Sequence, residues 1–268
     1  MFAIGLILAA VLFHRLFGMG TPVALNIFKL AFALAGLAIV TGVVALVGVW
    51  RRGLPGGANA LLGVGCGVLI LCWPLSLVPK LRALPPINDV STDTTNPPQF
   101  RVLAEQRKGG ANPPAYPGAS FAEQQKRFYR ELQPLILNRS AQDAFDLVGQ
   151  SLRRLRMVPV GEVPPGGENG AAGLIEAYDR TLVLGFYDDV AVRITPFGRG
   201  VRIDVRSASR YGRHDFGRNA QRVRELLNEI VARADATVPD QGGRRSARPT
   251  PSRNAERAVR RPVARRRE

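Results

Sequence analysis

The sequence predicts an α+β protein in which N-terminal transmembrane helices precede a mostly antiparallel sheet packed with helices on one face. Two observations lead to it. Residues 1 to 85 contain long uncharged runs and no Asp or Glu, and such runs read as membrane helices. Beyond them, stretches of helical period flank segments that alternate apolar and polar side chains, the period-two signature of a sheet with one dry and one wet face. Placing the helices on one side of such a sheet buries both apolar surfaces.

In the membrane region, residues 1–84, three transmembrane helices are expected at about 2–18, 30–50 and 60–78. The run from Leu30 to Trp50 is uncharged and, at about 1.5 Å per residue, long enough to cross a hydrocarbon layer of about 30 Å. The run from Ala60 to Val78 has Trp73 near its far boundary and Lys80 and Arg82 beyond it as interfacial anchors, with Pro74 late enough to kink or end the helix. The first run stops at His14 and Arg15. It lacks a basic leading segment and a small-x-small cleavage site, so an uncleaved span is expected rather than a signal peptide, with His14 at the interface. Gly63/Gly67, Ala31/Ala35 and Ala38/Gly42 offer small ridges for close helix packing, within the chain or in helix–helix self-association. Cys66 and Cys72 lie six positions apart, on different helix faces, and form neither a disulfide framework nor a metal pair.

The soluble part, residues 85–236, begins with a connector whose paired prolines at 85/86 and 97/98 forbid regular helix. Ser120 and Glu123 have capping-box spacing. LQPLIL reads as a short strand, and SAQDAFDLVGQSLRRLR as a helix with Ala141, Phe145, Val148, Leu152 and Leu155 on one stripe. MVPVGEV and AGLIEAYD read as strands, and TLVLGFYDDVAVRITPF as two strands or one bent at Tyr187 to Asp189. In GVRIDVRSAS, Val201, Ile203 and Val205 are expected inward, with Arg202, Asp204 and Arg206 outward in water. A last helix, Asn219 to Ala234, would bury Val223, Leu226, Leu227, Ile230 and Val231.

The formal charge of +16 belongs mostly to the flanks, because the tail from residue 237 to 268 carries ten arginines against three acids. Such a tail is expected to be disordered. The near-neutral central domain offers no basic binding face. The lipid bilayer is the expected partner of the apolar region, and for a domain on the outer side of the membrane anionic lipid headgroups or an acidic envelope component, rather than nucleic acid, are expected.

Three blocks, INDVSTDTTNPPQF (Ile87 to Phe100), GFYDDVAVRI (Gly185 to Ile194) and DVRSASRYGRHDFGRNAQRV (Asp204 to Val223), resemble the signatures of a proteobacterial family known as domain of unknown function 1499, over residues of about 85–235. Shorter members look like exported lipoproteins. The resemblance therefore implies a multi-pass inner-membrane protein with a periplasmic domain, although Arg15, Lys80 and Arg82 would then lie outside and only Arg51 and Arg52 inside, which gives that orientation no support from charge. The resemblance implies no reaction and no cofactor.

The polar residues point to binding or scaffolding rather than catalysis. Neighbours in a strand face opposite ways, so Asp188 and Asp189 are expected in a structural polar network with Asp89, Arg193, Ser207 and Asp215. Between Ser207 and Ala220, Gly212 and Gly217 permit positive φ, Asp215 or Asn219 can cap the following helix, and Arg210, Arg213, Arg218 and Asn219 form a candidate anion site. No metal site is expected, since INDVSTD lacks the glycine and terminal Glu of an EF-hand and reads instead as a hydrogen-bonded strap. Two alternatives stand beside this reading. One is an envelope hydrolase using Asp188/Asp189 and His214/Asp215; the other is a cytoplasmic-facing domain whose tail binds anionic lipid or nucleic acid.

Overall fold

The structure, a computed structural model, describes residues 2–166 and 171–237. The arginine-rich tail, from residue 238, and part of the turn PPGGENG lie outside the described residues.

Four helices come first: α1 (Phe2–Leu16), α2 (Thr21–Arg52), α3 (Gly57–Ser76) and the short α4 (Val78–Ala83). Two helical stretches, Thr21–Arg52 and Gly57–Ala83, are long and apolar enough to cross a membrane. The first expected span is shorter: the 15 residues of α1 extend about 22 Å, against about 30 Å of hydrocarbon. α2 starts nine residues before the expected boundary because Pro22 sits in its first turn, where a missing N–H costs nothing. α2 and α3 approach closely where a Cβ on Gly67 would lie 2.6 Å from Ile39 and one on Gly42 2.6 Å from Val64. Gly63 faces open space, so only half of the expected small-residue spacing serves this contact.

The domain that follows runs β1 (Asp89–Ser91), α5 (Val102–Gln106), α6 (Ala119–Phe128), β2 (Leu135–Leu137), α7 (Ala141–Arg154), β3 (Val158–Val163), β4 (Gly173–Arg180), β5 (Tyr187–Phe197), β6 (Gly200–Ser209) and α8 (Arg218–Ala236). The six strands form one antiparallel sheet in the order β1-β6-β5-β4-β3, with β2 also pairing β6, so the fold is α+β. Val190, Val192 and Ile194 of β5 and Val201, Ile203 and Val205 of β6 meet Phe145, Val148 and Leu152 of α7 and Val223, Leu226 and Ile230 of α8 in the main core. Ser140 caps α7 by accepting a hydrogen bond from the Asp143 amide, and Arg139 reaches the Ala234 carbonyl at the far end of α8.

Four expectations need correction. TLVLGF is not strand: β4 ends at Arg180, β5 begins at Tyr187, and residues 181–186 form the hairpin connection. Val231 stays at the surface of α8, turned off the buried stripe. The N-cap of α6 is Gly118 with no side-chain cap, so the Ser120/Glu123 capping box is not made. Most consequentially, the second face of the sheet is not wet. Asp204 and Arg206 are buried, because the segment between β1 and α6 folds across that face and packs Phe100 and Leu103 against Leu174, Ala191 and Ala208.

The hairpin connection fixes the domain to the first helices. Leu184 and Phe186 pack beside Ala10, Ala24 and Phe28. His14 is buried there rather than lying loose at an interface: its Nδ1 meets the Leu184 carbonyl at 2.8 Å and its Nε2 the Thr21 hydroxyl at 3.0 Å. A carbonyl can only accept, so Nδ1 carries the proton and Nε2 accepts from Thr21. Arg15 donates to the Thr181 carbonyl, and Arg180 donates back to the Arg15 carbonyl.

Candidate functional site

Asp188 and Asp189 are consecutive in β5 and turn to opposite faces, as the strand period requires. On the α8 side, Asp188 stands directly across from Asp179 of β4. Two carboxylates in that position repel unless a cation is shared. Arg222 supplies it, with Nε 2.9 Å from Asp179 and Nη2 2.6 Å from Asp188, while its Nη1 donates to the Ser207 hydroxyl and the Asn219 side-chain oxygen. Burial works against the charged guanidinium, but Asp188 and Asp179 together hold its pKa above the ordinary value. Asn219, one helical turn before Arg222, is not a cap; its amide nitrogen donates to the Asn88 carbonyl and to Ser209.

On the opposite face, Asp189 receives Arg107 from beyond α5 and Arg210 from the end of β6, each through Nε at 2.8 Å. Burial pushes the Asp189 carboxyl above its usual range, with the two guanidiniums opposing that shift. Arg206, 0 % exposed, grips both Asp89 oxygens at 3.0 and 2.7 Å, donates to the Pro98 and Pro114 carbonyls, and lies under the Phe100 ring. Arg193 joins Asp93 and Asp204, at 3.1 and 2.9 Å, rather than Asp188 or Asp189. The Glu176 carboxylate accepts the amides of Arg101, Val102 and Leu103, supplying from a distant strand the side-chain cap that Arg101, at the N-cap of α5, does not provide.

Between these faces, the loop after β6 turns through Gly212 (φ 89°) and Gly217 (φ 79°). Asp215 accepts the Gly217 and Asn219 amides at 2.8 and 2.9 Å. Burial nevertheless raises its carboxyl above the ordinary range, against those amide donors. Phe216 is left-handed at φ 55°, a conformation that costs a non-glycine residue about 1–2 kcal/mol. Its amide donates to His214 Nδ1, which places the ring proton on Nε2, facing the Leu84 carbonyl at 3.3 Å. His214 thus spends both nitrogens on backbone and makes no hydrogen bond with Asp215, an arrangement unlike a catalytic dyad. The three arginines of the expected anion site do not converge. Arg210 is bound to Asp189, Arg218 lies 3.6 Å from Asp179 on the other face, and Arg213 stands at the surface.

Arg213 borders a cavity of about 490 Å³ beneath the crossing segment, which also exposes Asn88, Asp89, Arg107, Tyr116 and Phe121. The Tyr116 hydroxyl is buried and has no hydrogen-bond partner. Burial, followed by the nearby Asp89 charge, pushes that phenol well above its ordinary pKa, so it presents an O–H. Burial likewise raises Asp89, against its pairing with Arg206.

The model of the family described as a protein of unknown function, DUF1499, matches residues 89–230, more than half of the chain. The chain belongs to this family. No curated protein matches it. The DUF1499 match starts at the first residue of β1 and ends within α8, so it covers the sheet and both polar clusters and leaves out the apolar helices. Arg107, Glu176, Asp179 and Arg222 are members of the DUF1499 clusters that sequence reasoning missed. Arg222 is one turn beyond Asn219 within an otherwise apolar stripe, the one local signal that could have exposed it.

Proposed function

We propose that this DUF1499 protein is a multi-pass inner-membrane protein whose periplasmic domain binds a small ligand with an acidic group, without catalysing a reaction. The cavity under the crossing segment carries the proposal. It combines an unsatisfied buried hydroxyl, Tyr116, with Arg213, a cation that pairs with no carboxylate among the described residues. An orphaned buried hydroxyl costs about 1–3 kcal/mol, which a ligand acceptor would recover. The other ionisable groups lining it support binding over chemistry, since Asp89 is paired with Arg206, and Arg107 with Asp189 and with backbone.

Thermal unfolding of the full chain in detergent, with a panel of carboxylates and phosphate monoesters, tests the site. At least one compound should raise the midpoint of the wild type and lose that effect in Arg213→Gln and Tyr116→Phe. Equal shifts in both variants would sink the assignment.

The periplasmic placement rests on the exported character of the shorter family members. A cytoplasmic domain is the second reading, favoured by Arg15, Lys80 and Arg82 lying at the domain's end of the helices against Arg51 and Arg52 at the other. Fusions of alkaline phosphatase and of a fluorescent protein after residue 236 separate the two: active phosphatase supports the first, bright fluorescence the second.

A further inference from the structure

We infer that the junction between the helices and the domain is a binding site for one bilayer phospholipid with an anionic headgroup. The inference rests on the proposed membrane placement and is independent of the cavity under the crossing segment.

The apolar part comes first. Ile7 and Val11 of α1, Phe28 and Phe32 of α2, and Leu69 and Trp73 of α3 line a groove of about 440 Å³, roofed by Val183 and Leu184 of the β4–β5 connection. A soluble domain seldom presents such a tip; Leu182 and Val183 are 79 % and 65 % exposed, a cost in water that disappears among acyl chains. The groove lies level with the domain-side end of the run from Leu30, which marks where hydrocarbon starts. An acyl chain is therefore the solvent at that depth.

The polar part adjoins it. A second cavity, of about 340 Å³, shares Trp73 and Leu184 with the groove and continues toward the domain, where Arg218, His214, Tyr211 and Ser209 line it. Two carboxylates also face it, and both are already compensated: Asp188 by Arg222, Asp215 by the Gly217 and Asn219 amides. Arg218, half-exposed and 3.6 Å from its nearest acid, retains donors for a phosphate. The strained Phe216 forms part of this wall, a feature that clusters at ligand sites. An apolar slot at acyl depth under a polar chamber at headgroup depth, with Arg218 as the arginine in its lining, matches a phospholipid along its length.

Native mass spectrometry of the full chain, purified in detergent and offered equimolar phosphatidylglycerol and phosphatidylcholine of identical chains, tests this. One retained phospholipid is expected, with phosphatidylglycerol preferred about tenfold, because both lipids offer Arg218 a phosphate but only phosphatidylcholine sets a trimethylammonium cation beside it. Arg218→Gln should bring the preference close to parity while a lipid is still retained. Leu69→Trp should fill the groove and abolish retention, whereas Leu61→Trp, on the same helix but outside the groove, should not; both side chains are exposed, at 71 % and 64 %. Should Leu69→Trp fail to fold, a phospholipid with a photoreactive acyl chain applied to the unaltered protein gives the same reading, with labels expected on residues 7–11 and 183–184. No retained lipid, retention without headgroup preference, equal behaviour of the two Trp variants, or labels spread evenly over α2 and α3 would each overturn the site. Release of the chain from membranes by carbonate would instead overturn the membrane placement.

Discussion

Replacing Arg206 by Met tests whether the buried ion pairs, rather than apolar contact alone, hold the crossing segment on the sheet. Arg206 is wholly buried and binds both oxygens of Asp89, which is itself buried, together with the Pro98 and Pro114 carbonyls. Methionine keeps much of the stem but leaves Asp89 as an uncompensated charge, a change that costs about 3–5 kcal/mol. In a domain of this size each kcal/mol moves the midpoint by about 2–4 °C, so a fall of roughly 6–20 °C is expected. All five tyrosines lie in the domain, whereas Trp50 and Trp73 lie in the apolar helices. Near-UV circular dichroism of tyrosine on the full chain in detergent therefore reads the domain's unfolding. The double variant Arg206→Met, Asp89→Leu removes both charges and should regain part of the loss. A single-variant loss under about 1 kcal/mol, or a double variant worse than the single, would refute the reasoning.

Glu176→Gln keeps the shape but removes the anion at the start of α5; hydrogen exchange should show the amides of Arg101 to Leu103 opening about tenfold more readily, for a loss of about 1–2 kcal/mol. Gly67→Ala would force a Cβ to 2.6 Å from Ile39 and 2.8 Å from the Ala35 carbonyl, so thermal stability in detergent should fall by about 1–3 kcal/mol, while Gly63→Ala, facing open space, should be neutral. Because burial holds Asp215 above the ordinary 3.8, the folded protein binds that proton more tightly than the unfolded chain. Its contribution to stability is complete below 3.8 and is lost as pH rises through the raised value. Thermal scans across pH 4 to 7 should show Asp215→Asn with a shallower decline than the wild type; an unchanged slope would contradict the assignment.

The elements were legible where one face of one segment decides them. The β6 strand and the stripe of α7 formed where they were read, and Val201, Ile203 and Val205 turn to the main core, whereas Asp204 and Arg206, read as wet, are buried on the other face. Opposite orientations for Asp188 and Asp189 follow from the strand period alone and also held. The polar partners were not legible. Arg107 reaches Asp189 across 82 positions and Glu176 caps a helix some 74 positions away; nothing local distinguishes such residues from solvated charges. TLVLGF failed for a related reason, since a run of apolar residues reads as strand until an apolar surface from α1 and α2 gives a hairpin tip somewhere else to bury.

The sequence by itself determined the membrane-like helices, the antiparallel sheet and the two glycine turns after β6, because hydropathy, period and positive φ act through neighbouring residues. Only the tertiary structure decided that the supposedly wet face is a buried lattice of Arg and Asp, that the candidate anion-site arginines point apart, and that the β4–β5 tip roofs an apolar groove. Each of those depends on which distant segment supplies the counter-charge or the cover, and desolvation makes that choice decisive: a buried charge persists only where folding delivers its partner.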